Sequence, residues 1–113
     1  MTIKVTEVLQ VLSDSTRLRM LRLLDQEELS VAELQEILEM GQSRISSHLA
    51  LLRRHNMVAD RKEGKKTFYM LSLGASKHFE IVRFALDTDS DEEFWISDQS
   101  SLQRIVERRR RAS

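Results

Sequence analysis

Five polar residues near the middle of the chain carry side chains suited to hydrogen bonding with the edges of nucleic-acid bases. They are Gln42, Ser43, Arg44, Ser46 and Ser47, in the segment 41–56. At about 100° per residue, the three serines lie on the side away from the apolar residues Ile45, Leu49 and Leu52. An ordinary solvated helix face would carry long Glu and Lys side chains instead. A helix that enters the DNA major groove needs short polar residues on its outer ridge and a few long donors at its edges.

Arg44 has the most specific expected chemistry of this set. Its guanidinium can donate two hydrogen bonds to O6 and N7 of guanine, worth about 1–3 kcal/mol of discrimination. A phosphate contact or a salt bridge is the alternative. Gln42 can read adenine or cap the helix, and each serine contributes little by itself. We therefore expect all five residues to face base edges, with Arg44 and Gln42 as the readers.

A second set of residues is expected to contact the DNA backbone. The set comprises His48, Arg54, Arg61, Lys62, Lys65 and Lys66. His48 lies beside the apolar face, so a packed histidine bonded to the protein backbone is the alternative, and Arg54 can pair with an acidic neighbour. The other four residues surround a turn at 63–65, where charge also serves solubility. Because Glu63 is the only acidic residue at this turn, the one-sided charge favours phosphate contact.

The charge of the chain is segregated, although its formal net charge is zero. Residues 25–39 carry six acidic side chains and no Lys or Arg, whereas residues 42–69 carry seven basic side chains and two acidic ones. Phosphate binding depends on the local field and not on the total charge. The basic block contains the serine-faced segment, which supports a nucleic-acid interface there.

The bulk composition excludes several classes of protein. The 113 residues suffice for one domain with one modest core. The absence of cysteine rules out disulfides and thiolate metal sites and fits a reducing, cytoplasmic setting. We find no signal peptide and no apolar run long enough to span a membrane. No Gly-rich phosphate loop, nucleophile with a base or carboxylate pair stands out, so we expect neither an enzyme nor a cofactor.

Four helices are predicted in the first half of the chain. The first covers 3–12 from its apolar spacing, and the second runs from a start signal at 13–16 to about Leu24. Ser30 and Glu33 form a capping box that opens the third helix. Gly41 permits a sharp turn between this helix and the serine-faced helix 41–56. A helix-turn-helix is therefore predicted, with the serine-faced helix as its second helix.

Two short strands are predicted after this motif, at 57–62 and 66–71. Gly64 in the intervening turn suits a positive φ, so that the strands form a hairpin with a basic tip. A further helix is predicted at 75–86. This order defines a mainly α fold with a small β-hairpin, a winged helix-turn-helix domain at 1–86, in which the second motif helix enters the major groove.

Four segments of the chain resemble ArsR-type winged-helix repressors. They are Leu12-Ser-Asp-Ser-Thr-Arg-Leu-Arg-Met-Leu-Arg-Leu-Leu24, Glu28-Leu-Ser-Val-Ala-Glu-Leu34, Gln42-Ser-Arg-Ile-Ser-Ser-His-Leu-Ala-Leu-Leu52 and Gly64-Lys-Lys-Thr-Phe-Tyr-Met-Leu71. The resemblance covers residues 5–86. It implies a homodimer that binds an inverted repeat in double-stranded promoter DNA and leaves when a small-molecule effector binds. It also implies a dimer interface on the first and last helices of the domain, with Val5, Val8, Phe79 and Val82; a place in the core of one chain is the alternative for each.

Two departures from the family pattern concern metal binding. Many metal-sensing members have two cysteines where this chain has Ser30 and Ala32. The other common metal site uses Asp and His pairs on the last helix, where this chain has only His78, with Glu80 nearby. A divalent metal site needs several N, S or O ligands that converge. We therefore expect an effector other than a thiolate-bound metal, and no metal site.

The segment 87–113 is expected to be an extension of the domain. It comprises an acidic break at 87–93, a compact apolar anchor at 94–96 and a basic helical pattern at 102–111. This segment resembles the linker of family members that continue into an S-adenosylmethionine-dependent methyltransferase domain. A basic tail that frays is the alternative.

Three functional hypotheses follow from these patterns. The leading one is a sequence-specific DNA-binding transcriptional regulator, a homodimeric repressor in the cytoplasm that does not bind membranes. The second is the DNA-binding regulatory domain of a two-domain methyltransferase. The third is a winged helix that makes only protein–protein contacts.

Overall fold

The computed structural model describes residues 3–74, 77–88 and 92–113. Its elements are α1 (Val5–Leu12), α2 (Ser15–Gln26), β1 (Leu29–Ser30), α3 (Val31–Leu38), α4 (Gln42–Arg54), β2 (Val58–Glu63), β3 (Lys66–Leu71), α5 (Phe79–Asp87) and α6 (Glu92–Ala112). The mainly α fold with a small hairpin is confirmed. The predicted helix 75–86 begins at Phe79, while positions 75 and 76 lie outside the described residues.

The predicted start signals of α2 and α3 are confirmed. The Asp14 side chain caps α2, accepting a hydrogen bond of 3.0 Å from the backbone N–H of Arg17. At α3, the backbone N–H of Glu33 donates to the Ser30 hydroxyl at 3.2 Å, and the backbone N–H of Ser30 donates to the Glu33 carboxylate at 2.9 Å. These bonds satisfy backbone donors that have no partner within a helix, and so fix where each helix begins.

The turn between α3 and α4 differs from the prediction in which residue takes the unusual backbone conformation. Glu39 has a φ of 55° and ends α3 in the left-handed region. Gly41 has a φ of −71° and a ψ of 160°, which any residue can adopt. The chain therefore turns at Glu39, and the conformational freedom of Gly41 is not used.

The sheet contains one more strand than the predicted hairpin. β2 and β3 pair antiparallel around a turn in which Gly64 has the predicted positive φ, 62°. β1 adds to the other edge of β3 through the pairs Leu29–Tyr69 and Ser30–Phe68, giving the order β1-β3-β2. The hairpin, or wing, is thereby joined to the segment that opens α3.

A single core unites all the helices. Its most deeply buried side chains include Met20, Leu21, Leu29, Leu34, Ile45, Leu49, Leu52, Val82 and Ile105. Ile45, Leu49 and Leu52 were predicted to hold α4 to the core, and that prediction is confirmed. Because α4 is fixed along this face, its opposite face is left to solvent.

The C-terminal segment is one long helix and not an anchor followed by a separate helix. Phe94, Trp95 and Ile96 lie in its first turns and outside the core, so they do not form the predicted compact anchor, although Phe94 contacts Arg19 of α2. Leu102 and Ile105 bury the helix against α2 and α3 instead. Residues 92–113 therefore share the core of the preceding domain.

A buried ion pair fixes the N-terminal half of α6 to α2. The Arg19 guanidinium donates from Nε and Nη2 to the two carboxylate oxygens of Asp98, at 2.9 and 2.8 Å. It also lies 3.9 Å from the ring centroid of Phe94. Within the described ranges, every buried side-chain N or O atom has a hydrogen-bond partner. Arg19 and Asp98 are therefore buried as a matched pair.

Candidate nucleic-acid interface

The outer face of α4 presents the residues that were predicted to read bases. The side chains of Gln42, Ser43, Arg44, Ser46 and Ser47 are all exposed, as is Ala50. Gly41 precedes α4 as its N-cap residue, and the Gln42 amide forms no hydrogen bond with the residues that the structure describes. This face offers short side chains flanked by long hydrogen-bond donors, the arrangement that a helix in the major groove requires. Direct contact of these residues with bases stays a prediction.

The three arginines of α4 differ in whether they form an ion pair with another residue of the chain. Arg53 forms an ion pair with Asp60 of β2. Arg44 and Arg54 are exposed, and neither has an ion pair or hydrogen bond within the described part of the chain. Both guanidinium groups are thus available to a polyanion, Arg44 near the start of the helix and Arg54 at its last residue.

His48 is half-buried and linked to α2. Its Nδ1 lies 3.5 Å from Nη1 of Arg17, and Arg17 is held by hydrogen bonds from Nε to the Val11 carbonyl and from Nη2 to the Gln10 carbonyl. Burial lowers the pKa of His48, and the positive charge of Arg17 adds to this, although Asp14 opposes it. Because Arg17 can only donate, this contact suits a neutral ring that accepts at Nδ1. Among the described residues, the His48 ring is therefore packed against the Arg17 side chain and not bonded to the backbone as the alternative had it, and its contact with a phosphate stays a prediction.

The tip of the wing carries three exposed lysines. Lys62, Lys65 and Lys66 are exposed, and among the residues described here none forms an ion pair or hydrogen bond with them. Their ammonium groups lie at or beside the turn around Gly64. A hairpin tip with this charge can follow a phosphate backbone.

Arg61 behaves differently from these lysines. Its Nε donates to the Glu28 carboxylate at 2.8 Å, its Nη1 donates to Glu63 at 3.0 Å, and its guanidinium lies 4.9 Å from the Phe68 ring centroid. The hydrogen bond from Arg61 lowers the pKa of Glu28. The expected phosphate contact of Arg61 must therefore compete with bonds that already hold it to the body of the domain.

Two of the four residues expected in a dimer interface lie in the core of one chain. Val8 and Val82 are 1% and 0% exposed, so their side chains are already covered before a second chain approaches, and they are corrected to core residues. Val5 and Phe79 are 43% and 45% exposed. Leu9 of α1 and Phe84 of α5 are further exposed apolar residues on the two helices that the resemblance implicates. Phe84 lies opposite the buried Val82 and Leu86 on a helical wheel, a signal that was present in the sequence.

His78, the histidine considered for metal binding, lies against the backbone of the N-terminal segment. Nε2 of His78 lies 3.0 Å from the backbone carbonyl of Ile3. Across 3–74, 77–88 and 92–113, no three His, Cys, Asp or Glu side chains are grouped so as to hold a metal ion. In the same ranges, no helix combines the length and apolar character needed to cross a bilayer.

Known proteins match the chain over the winged domain. The sequence model described as "Bacterial regulatory protein, arsR family" matches residues 14–60. The transcriptional activator HlyU of Vibrio cholerae is 45% identical over 69 residues, which are 61% of this chain and 64% of HlyU. The structure of reduced HlyU has a TM-score of 0.61 and 38% identity, covering 71% of this chain and 82% of that one. Measured against HlyU, the arsenical resistance operon repressor of Escherichia coli and the arsenic resistance transcriptional regulator ArsR1 of Pseudomonas putida, the chain spans between 51% and 64% of the relative's length.

Two further proteins extend the comparison. A homodimeric winged helix-turn-helix DNA-binding domain from Mycobacterium bovis superposes with a TM-score of 0.61 and 27% identity, covering 74% of this chain and 78% of that one. The arsenic resistance transcriptional regulator ArsR2 of Pseudomonas putida is 36% identical over 97 residues, which are 83% of this chain and 81% of the regulator. Because its sequence and its fold both match, the chain belongs to the arsR family of bacterial regulatory proteins.

Proposed function

We propose that the chain is a homodimeric, sequence-specific DNA-binding regulator of transcription and not an enzyme. In this proposal α4 enters the major groove, and the wing lysines contact the phosphate backbone. The observation that carries it is the exposed outer face of α4, where Arg44 has no partner among the described residues while the opposite face is buried. Membership of the arsR family supports the same function, since the related proteins named above are regulators of transcription.

The proposal is tested by the salt dependence of DNA binding. We expect band shifts with a fragment of the protein's own promoter, and the logarithm of the affinity should fall linearly with the logarithm of salt concentration. Each phosphate contact contributes a slope of about −0.9 in duplex DNA, because condensed counterions are released. Lys65→Ala should make the slope shallower by about one for each contact that is lost. Equal affinity for the promoter fragment and for random DNA would contradict the proposal.

The proposed dimer interface lies on α1 and α5. Its exposed apolar residues are Val5, Leu9, Phe79 and Phe84. The homodimeric Mycobacterium bovis domain, which has the same fold, supports this assembly. Burial of these side chains against a second copy would remove apolar surface from water, which is the main driving force of such association.

Phe84→Glu should convert the dimer into a monomer that is still folded. Phe84 is 73% exposed in one chain, so the substitution leaves the core intact, whereas a carboxylate at the interface must lose its hydration. Sedimentation should report the 13.2 kDa mass of a single chain. Ile96→Glu is the matched control, because Ile96 is 77% exposed on α6, outside the proposed interface. If the Phe84→Glu protein still sediments as a dimer, the dimer interface does not include Phe84.

The direction of regulation and the signal are further parts of the proposal. We propose a repressor that a small-molecule effector releases from double-stranded promoter DNA in the cytoplasm. The related proteins include both repressors and an activator, so the direction needs its own test: deletion of the gene should raise transcription from the bound promoter. The absence of cysteine supports an effector other than a thiolate-bound metal. Continuation into a methyltransferase domain stays a prediction, which reading the gene beyond Ser113 decides.

A further inference from the structure

The last turn of α6 reaches the segment that joins the wing to α3. Arg109 donates from Nε to the Glu33 carboxylate at 3.0 Å and from Nη2 to the backbone carbonyl of Glu28 at 2.8 Å. Its Nη1 lies 3.8 Å from the carboxylate of Glu27. Glu28 immediately precedes β1, and Glu33 belongs to the capping box of α3. One guanidinium therefore ties the C-terminal helix to β1 and to the first turn of α3.

The same guanidinium lies over the wing. The ring of Phe68 on β3 has Arg109 at 5.8 Å and Arg61 at 4.9 Å from its centroid. Arg61 is in turn bonded to Glu28, at 2.8 Å. We call Glu28, Glu33, Arg61, Phe68 and Arg109 the wing clamp. Its members come from the start of β1, α3, β2, β3 and α6, and so join five parts of the fold.

The position of Phe68 in the hairpin decides what the clamp holds. Phe68 pairs with Arg61, and only the pairs Thr67–Lys62 and Lys66–Glu63 separate it from the turn. Beyond Phe68, no residue of the two strands is buried, whereas Val58 at the base of the hairpin is in the core. The base is therefore fixed by burial, and the distal half is fixed by β1 and the clamp.

We propose that Arg109 is a positioning residue for DNA binding, which holds the distal half of the wing where its lysines reach the phosphates. This inference rests on the proposed function. Arg109 itself does not contact the DNA in it; the residue acts through Glu28, Glu33 and Phe68. Arg109 thus contributes to affinity by orienting the distal half of the wing, residues 61–68, which lies more than forty residues earlier in the sequence.

A double-mutant cycle on DNA affinity tests the inference. We expect Arg109→Met to weaken binding, and we expect Lys65→Ala with Lys66→Ala to weaken it much less in the Arg109→Met protein than in the native one. Groups that act as one unit typically couple by at least about twofold in affinity. Arg44→Ala should instead add independently to Arg109→Met, because Arg44 lies on α4. Additive effects of Arg109 and the wing lysines would overturn the inference.

A matched control separates the clamp from simple loss of charge. Arg111→Met removes the same charge two residues away, from an exposed side chain without a partner among the described residues. It should leave both the affinity and the effect of the wing substitutions nearly unchanged. Arg109→Lys keeps the charge but lacks the fork that reaches Glu28 and Glu33 together, so it should behave like Arg109→Met. Full recovery in the lysine variant would show that only charge matters.

Hydrogen exchange of the protein without DNA provides a second readout. Arg109→Met should speed the exchange of backbone amides in the distal wing, residues 61–68, while amides of α1 and α2 remain as protected as in the native chain. Unchanged exchange in the wing would refute the clamp even if affinity falls. If the native protein binds no DNA, the proposed function fails, and the exchange experiment still decides whether Arg109 holds the wing.

Discussion

Replacement of Asp98 with alanine is expected to lower the free energy of unfolding by about 3–5 kcal/mol, because it leaves the Arg19 charge buried without its carboxylate. Both side chains are at least nine-tenths buried, and two hydrogen bonds of 2.9 and 2.8 Å join them. Urea unfolding at one fixed protein concentration measures the change, since association would otherwise shift the apparent stability. Loss of α6 docking should accompany it, because this pair joins α6 to α2.

An exposed carboxylate in a similar pair provides the control. Asp87 pairs with Arg83 at 2.9 Å, but its side chain is 62% exposed. Asp87→Ala should therefore change stability by only about 0–1 kcal/mol. The double substitution of Arg19→Met and Asp98→Leu should recover much of what Asp98→Ala loses, since no charge then remains buried. If Asp98→Ala costs no more than Asp87→Ala, the buried pair does not hold α6.

Arg44→Ala is expected to lower affinity for the preferred DNA sequence by about 1–3 kcal/mol, or roughly 5–150-fold. In the proposed function, Arg44 donates two hydrogen bonds to one guanine, so the preference at that base pair should relax while other positions keep theirs. Sequences selected from random DNA by the native and variant proteins, followed by affinity measurements on single-base variants of the site, provide the test.

Arg54→Ala is the matched control for Arg44→Ala. Arg54 is also exposed on α4 and without a partner in the described ranges, but it lies at the end of the helix and is expected to contact phosphate. Its loss should weaken binding to all sequences by a similar factor and make the salt dependence shallower. If Arg44→Ala shows that same uniform loss, Arg44 binds phosphate and another residue reads the base.

Local signals in the sequence predicted much of the fold correctly. Ser30 and Glu33 specify the start of α3 through bonds made within four residues, and Gly64 specifies the turn of the wing through its own backbone. The buried face of α4 could also be predicted from the sequence, because its apolar residues recur with the period of a helix. The exposed positions of the three serines follow from that face, whereas Gln42 falls on the apolar side of the wheel and is exposed as the first residue of the helix.

Features that depend on distant partners could not be predicted in this way. β1 has only two residues, and its hydrogen bonds come from β3, so no periodic pattern marks it. Asp98 lies in a polar stretch, and for this reason the sequence did not predict α6 as one continuous helix. The burial of Asp98 is explained by its partner Arg19, which is 79 residues away. Arg61 resembled its basic neighbours in sequence, yet its partner Glu28 is supplied by a part of the chain 33 residues earlier.

The position of α6 also has a consequence for the order in which the protein matures on the ribosome. Translation releases α2 and α3 before α6, the helix that packs against both of them. Because synthesis proceeds at roughly 5–20 residues per second, α2 and α3 remain without the packing of α6 for several seconds. Arg19 and Glu28 are also synthesised before their hydrogen-bond partners, Asp98 and Arg109, which lie 79 and 81 residues downstream. The nascent chain therefore acquires α4, which the proposed function places in the major groove, early but completes its core only when almost all of the residues described here have emerged.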